Sequence, residues 1–190
     1  RVYAPAVDME NMMREKNIPL FALESREPIT NFDVIAFTLQ YELSYTNILN
    51  MLDLANVPIL RTERKLDDPF ILVGGPCAYN VEPMADFVDI VVLGEGEEVN
   101  LEILNAYKEW KKNKTTREDF LYQISSIEGV YIPSFYDVTY NEDNTVKEVV
   151  PNRENIPSKP HKRIIKDVEN VPYPEKLIVP FIDTVHNRVV

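Results

Sequence analysis

"ILVGGPCAYNVEPMADFVDIVVLGEGEE", residues 71–98, decides the reading of the fold. It holds two short apolar runs, 71–73 and 90–93, and each stops at glycine. Runs that stay apolar without alternating with polar residues are what strands buried on both faces of a parallel sheet look like. Working outward, "DVIAFTLQY" at 33–41 repeats the pattern on the N-terminal side. In "SYTNILNMLDLAN", residues 44–56, the apolar Ile48, Leu49, Met51, Leu52 and Leu54 fall on one helical stripe, with Ser44 placed to cap it and Asn56 to close it. From about Glu97 to Asn113, Val99, Ile103, Leu104, Tyr107 and Trp110 recur at helical spacing. Strands and helices in strict alternation predict an open, mainly parallel α/β sheet of flavodoxin-like (Rossmann-like) type with helices on both faces.

Upstream, Met9, Met12 and Met13 predict a helix that ends at Asn17 before Pro19. Downstream, "TTREDFLYQISSIEG" reads as a helix with Thr115 or Thr116 and Glu118 or Asp119 at a capped start and Gly129 as its stop. "VYIPSFYDVTY", "NEDN" and "TVKEVVP" read together as a β-hairpin. The remainder is rich in proline and charge and reads as an extended connector. The expected organisation is an α/β domain over 1–114, a helix and hairpin over 115–150, and a connector over 151–190.

The totals exclude several classes. The net charge is −11, with 31 acidic against 20 basic side chains, so a groove tracking phosphate backbones is not expected. No run approaches the ~18 apolar residues of a membrane helix, and "RVYAPAVDME" lacks the features of a signal peptide, which points to the cytoplasm. One cysteine makes no internal disulfide and, with only His161 and His186 beside it, builds no thiolate or imidazole metal site.

Open parallel sheets bind ligands at strand carboxyl ends. Three such exits are unusual here: "TLQYELS" at 38–44, "GGPCAYN" at 74–80 and "GEGEE" at 94–98. Thr38, Gln40, Tyr41 and Glu42 form a polar exit suited to a large amide-rich ligand, or simply to loop packing. Gly74 and Gly75 offer close backbone approach, or a plain turn before Pro76. Gly94 and Gly96 flank Glu95, and the acids that follow sit where a helix dipole favours them, which disfavours phosphate there. Cys77 has no histidine in its set and reads as a bystander thiol. Neither GxGxxG nor GxxxxGK occurs.

Taken together, "FDVIAFTLQYELSYTNILNMLDLA", the opening stretch and "KRIIKDVENVPYPEKLIVPFIDTVHNRVV" resemble the N-terminal part of a family of radical S-adenosylmethionine (SAM) proteins. A strand ending in GGP, a Pro-Glu-Pro represented here by Val81, Glu82 and Pro83, and a strand running into GEGEE resemble cobalamin-binding domains that precede radical SAM barrels. The resemblance covers nearly the whole chain. It implies an accessory domain covering a downstream barrel, in which a C-x3-C-x2-C motif holds a [4Fe–4S] cluster that acts on S-adenosylmethionine. It implies no catalytic or metal-ligating residue in this chain. It also implies cobalamin as a possible ligand, met by Thr38, Gln40, Tyr41, Glu42, Gly74, Gly75, Gly94 and Gly96, although the D-x-H-x-x-G cobalt-ligand signature does not occur. The family pattern carries a further strand and helix upstream of "RVYAP", so a bare sheet edge is expected, open to strand swapping or homo-oligomer formation. The partners implied are the barrel and an unknown substrate, with neither membrane nor nucleic acid. Two other readings stand beside it: a stand-alone nucleotide- or flavin-binding module of flavodoxin or receiver type, and a purely structural or substrate-binding lid.

Overall fold

The computed structural model describes residues 1–113 and 115–171. A four-stranded sheet runs in the order β1 (Val34–Thr38), β2 (Phe70–Gly74), β3 (Ile90–Val92), β4 (Val130–Tyr131). The first three strands are parallel, with Ala36 opposite Leu72 and Leu72 opposite Ile90, and β4 runs antiparallel to β3. The fold is therefore mixed α/β with a mostly parallel sheet.

The apolar runs are split between two faces by the two-residue period of a strand. Ile35, Ile71, Val73 and Val91 join a cluster with Met13 of α1 (Val7–Lys16) and with Ile48, Met51 and Leu52 of α2 (Tyr45–Leu54). Phe70, Leu72, Ile90 and Val92 face the other way, into Val99, Ile103, Tyr107 and Trp110 of α3 (Gly96–Asn113) and Phe120 and Ile124 of α4 (Arg117–Ile124). Helices thus cover both faces. The centre of the second cluster is aromatic: Phe70, Tyr107, Trp110 and Phe120 all pack within 6.1 Å centroid to centroid, mostly edge-on or tilted.

Within residues 1–113 the alternation of strand and helix is broken at one place. Between β2 and β3 the chain makes two 3-10 turns, Pro76–Asn80 and Glu82–Met84, in place of an α-helix. Each turn has a proline in its first two positions, where a missing N–H is harmless, and the two prolines lie too close together for a longer helix. Ala78, Val81, Met84 and Val88 still enter the first cluster, so the turns do the covering a helix would do.

The helix starts also differ from expectation. Ser44 does not cap α2; its hydroxyl donates to the Tyr41 carbonyl at 2.6 Å, because a 3-10 turn at Glu42–Ser44 leads straight into the helix. Thr116 does cap α4, in a box where its Oγ1 accepts from the Asp119 amide and Asp119 accepts from the Thr116 amide, each at 3.0 Å. The hairpin is shorter at its start than "VYIPSFYDVTY" suggests. Pro133 opens a turn at Pro133–Phe135, so Val130 and Tyr131 stay with the main sheet, and the hairpin proper is β5 (Tyr136–Tyr140) with β6 (Val146–Pro151). Among the described residues β1 pairs only with β2 and stands at the sheet edge. Its Ala36 and Thr38 are exposed, so this strand is covered on one face and open on the other. Among the described residues, no helix is long and apolar enough to cross a membrane.

Candidate functional site

The carboxyl ends of β1, β2 and β3 converge on a cleft of about 560 Å³. Its floor is Val34, Ala36, Leu72 and Val92, one wall is Ile103 and Leu104 of α3, and its polar side chains come from Thr38, Glu95, Glu97 and Asn100. Of the residues singled out in the sequence, Thr38, Gly74, Gly75, Gly94 and Gly96 line this cleft. Gln40, Tyr41 and Glu42 are exposed on the turn beyond β1 and are not among its lining residues. The reason is local: Leu39 is fully buried, its amide donating to Gly74 O at 2.7 Å and its carbonyl accepting from Cys77 N at 2.9 Å, and the chain turns away immediately after it.

The glycines serve the chain's own packing. Gly75 has φ +98°, and a Cβ there would lie 2.9 Å from Thr38 Cγ2 and 3.1 Å from Leu39 O. Gly94 has φ +97°, and a Cβ there would fall 2.2 Å from the Arg163 carbonyl oxygen. A Cβ on Gly96 would meet only the movable Asn100 side chain, and one on Gly74 would make ordinary contact with Val92 at 3.6 Å. Gly74 is therefore the bare backbone left facing the cleft.

The crowding at Gly94 reveals a clasp that the sequence reading missed. The connector lays Arg163 alongside β3's exit, Arg163 N donating to Leu93 O at 2.8 Å and Glu95 N to Arg163 O at 3.2 Å. The Glu95 carboxylate accepts the Ile165 amide, while Glu98 and Glu102 both bind the Arg163 guanidinium, at 2.8 and 2.5 Å from its Nη2. These carboxylates hold the Arg163 guanidinium above its ordinary pKa, Glu98 foremost. Glu95 and Glu98 of "GEGEE" thus bind the chain's own connector, a role beyond the helix dipole. The signal in the sequence was a lone arginine in "HKRIIK", which nothing local tied to residues some 65 positions earlier.

Cys77 is half-buried, below the turn that carries Glu42. Burial raises its thiol pKa, and the Glu42 charge and hydrogen bond raise it further. A raised pKa means less thiolate at neutral pH, so alkylation of Cys77 at pH 8 is expected to be slower than that of a free cysteine. Glu42→Gln removes the charge and is expected to speed alkylation severalfold. Alkylation of the wild type as fast as a free thiol, or no acceleration in the variant, would contradict this placement. Among the described residues no group of three or more His, Cys, Asp or Glu side chains is gathered as metal ligands would be.

Comparison with known proteins gives three results. Residues 1–133 match the family model described as radical SAM proteins, N-terminal. The chain is similar to an uncharacterised protein of Methanocaldococcus jannaschii, 35% identical across 64% of this chain and 30% of the relative, so the match spans less than a third of that relative's length. No solved structure matches the chain.

Proposed function

Because the chain belongs to the family of N-terminal regions of radical SAM proteins, we propose that it is an accessory domain whose strand-end cleft faces the catalytic part of a longer parent protein. The observation that supports this is the uneven cover of the sheet. On the face of Leu72 and Val92, α3 and α4 close over β2 to β4 but leave Ala36 and Thr38 of β1 open, beside the exposed Leu104 of α3. An apolar hollow at strand carboxyl ends is where a ligand or a second domain settles in an open parallel sheet. The clasped connector leaves from the rim of the same hollow, and residues 151–190 would carry the chain toward that catalytic part. The final segment "PYPEKLIVPFIDTVHNRVV", on which part of the family resemblance rests, lies outside the described residues.

S-adenosylmethionine and a [4Fe–4S] cluster belong, in this reading, to the rest of the parent. The donor set here does not fit a cluster: the chain has one cysteine, where a cluster needs several thiolates. No radical step is assigned to these residues.

A corrinoid in the cleft is the finer version of the same reading. Thr38, Glu97 and Asn100 would meet its amide rim, and Gly74 with Ala36 and Leu72 would lie under its face. No histidine stands among the described residues that line the cleft, so none of these would supply an imidazole to cobalt. Without a corrinoid the domain is a structural or substrate-binding lid.

Hydrogen exchange, compared between this chain and the full-length parent, tests the docking. Amides of β1 and of residues 100–104 are expected to slow at least about tenfold in the parent as their local opening is suppressed; equal exchange overturns the proposal. Titration with hydroxocobalamin tests the corrinoid. A shifted visible spectrum that Ala36→Trp abolishes supports it, and no shift at high micromolar cobalamin removes it while leaving the exchange result intact.

A further inference from the structure

The amino ends of β2 and β3, opposite the strand-end cleft, border a second hollow of about 340 Å³. Arg61, Arg64, Arg117 and Arg153 line it together with Asp89 and Glu118. Four guanidiniums face two carboxylates there, in a chain whose net charge is −11.

Two of the arginines are committed to the scaffold. Arg64, whose side chain is 0% exposed, donates to the carbonyls of Pro58, Ile59 and Phe87 and to Asp89 Oδ2 at 2.9 Å. Arg117, 12% exposed, reaches the carbonyls of Lys65, Asp68 and Pro69, approaches the same Asp89 oxygen at 3.2 Å, and lies over the Phe70 ring at 3.8 Å. One carboxylate oxygen therefore serves two guanidiniums. Burial lowers the Arg64 pKa and the neighbouring Arg117 lowers it further, against the pull of Asp89 and, more weakly, Asp68.

The other two arginines are only partly used. Arg61 donates through Nε to Ala85 O at 3.0 Å, and among the described residues its two terminal nitrogens have no protein acceptor. Arg153 pairs through Nη2 with Glu118 and lies over the Phe135 ring at 4.7 Å, and among the described residues its Nε and Nη1 have no protein acceptor. Each guanidinium is held by one anchor with donors to spare, an arrangement suited to an oxyanion. Ser134 lines the same hollow.

We propose that this hollow binds a phosphate group, either inorganic phosphate or the phosphate of a small phosphomonoester, through Arg61, Arg153 and Ser134 over the positive floor of Arg64 and Arg117. Its volume falls at the low end of the ~300–1,000 Å³ of small-molecule sites, which leaves room for a small organic group. The proposal stands apart from the docking of the strand-end cleft, since the two lie at opposite ends of the strands.

Calorimetric titration of the chain with inorganic phosphate and with glycerol phosphate, at ionic strength held constant with chloride, tests it. Saturable binding is expected, with shifts of the Arg61 and Arg153 Nε–Hε resonances in nitrogen-15 spectra. Arg61→Gln is expected to raise Kd about tenfold, the loss of one charge-assisted contact. Tighter binding of glycerol phosphate assigns the site to phosphomonoesters, and equal affinity assigns it to phosphate itself. No saturation by about 10 mM ligand, weaker than the millimolar binding worth roughly 4 kcal/mol, overturns the proposal. So does unchanged affinity in folded Arg61→Gln and Arg153→Gln variants. Should the variants fail to fold, wild-type resonances of Arg61 and Arg153 that do not move with phosphate overturn it equally.

Discussion

Asp89→Ala is expected to lower the unfolding free energy by about 3–5 kcal/mol, the cost of breaking a buried ion pair from one side. Asp89 is 4% exposed, and one of its oxygens accepts from Arg64, Arg117 and the Ile71 amide at 2.9, 3.2 and 2.8 Å. Alanine leaves the fully enclosed Arg64 guanidinium without its carboxylate and orphans the Ile71 N–H of β2. At roughly 2–4 °C per kcal/mol for a chain of this size, the melting temperature should fall by about 6–20 °C. Asp89→Asn keeps an acceptor for the Ile71 amide while removing the charge, so it should fall between wild type and alanine. Urea unfolding of the three proteins checks the ranking, and an alanine variant within 1 kcal/mol of wild type, on the order of the smallest effects mutations of buried groups show, would mean that Asp89 is not the counter-ion of this corner.

Gly94→Ala is expected to cost about 2–4 kcal/mol. Part is the strain of an L residue at φ +97°, roughly 1–2 kcal/mol, and part is the loss of the hydrogen bonds that seat Arg163, about 1 kcal/mol each. The added Cβ would meet backbone atoms of Arg163 at 2.2, 2.8 and 3.0 Å, so a rotamer change cannot relieve it. The connector should lift from β3, and trypsin should then cut after Lys162, Arg163 or Lys166 well before the sheet unfolds. Gly96→Ala, two residues on, faces only the Asn100 side chain and should be near neutral. Equal tryptic lifetimes for wild type and Gly94→Ala would contradict the clasp.

Much of the fold was legible because burial of apolar runs is a local property of the chain. α1, α2 and α3 fall within a residue or two of the stripes that predict them, and the three parallel strands coincide with the three apolar runs. The capping box at Thr116 and Asp119 was legible for the same reason, since both partners lie within one turn. The break between β2 and β3 was harder to read. Pro76 and Pro83 forbid a continuous helix, yet Val81, Met84 and Val88 are as apolar as helical core residues, so the pattern alone does not separate two turns from one helix.

The strand-end cleft was legible in part. Thr38 and the four glycines singled out in the sequence line it, but the polar residues after Thr38 turn outward once Leu39 is buried.

The sequence by itself determined the layers, the parallel core and the family, because these follow from short-range pattern and from recognisable local stretches. Only the tertiary structure decided what the glycines and charges are for. Gly94 is bare because Arg163 lies on it, Glu95, Glu98 and Glu102 are acidic because they grip the connector, and four arginines from three separate segments meet at one hollow. The physical reason is that hydrophobic periodicity is written along a few turns of chain, whereas charge pairing and close backbone approach depend on partners tens of residues away. Folding alone brings those partners together.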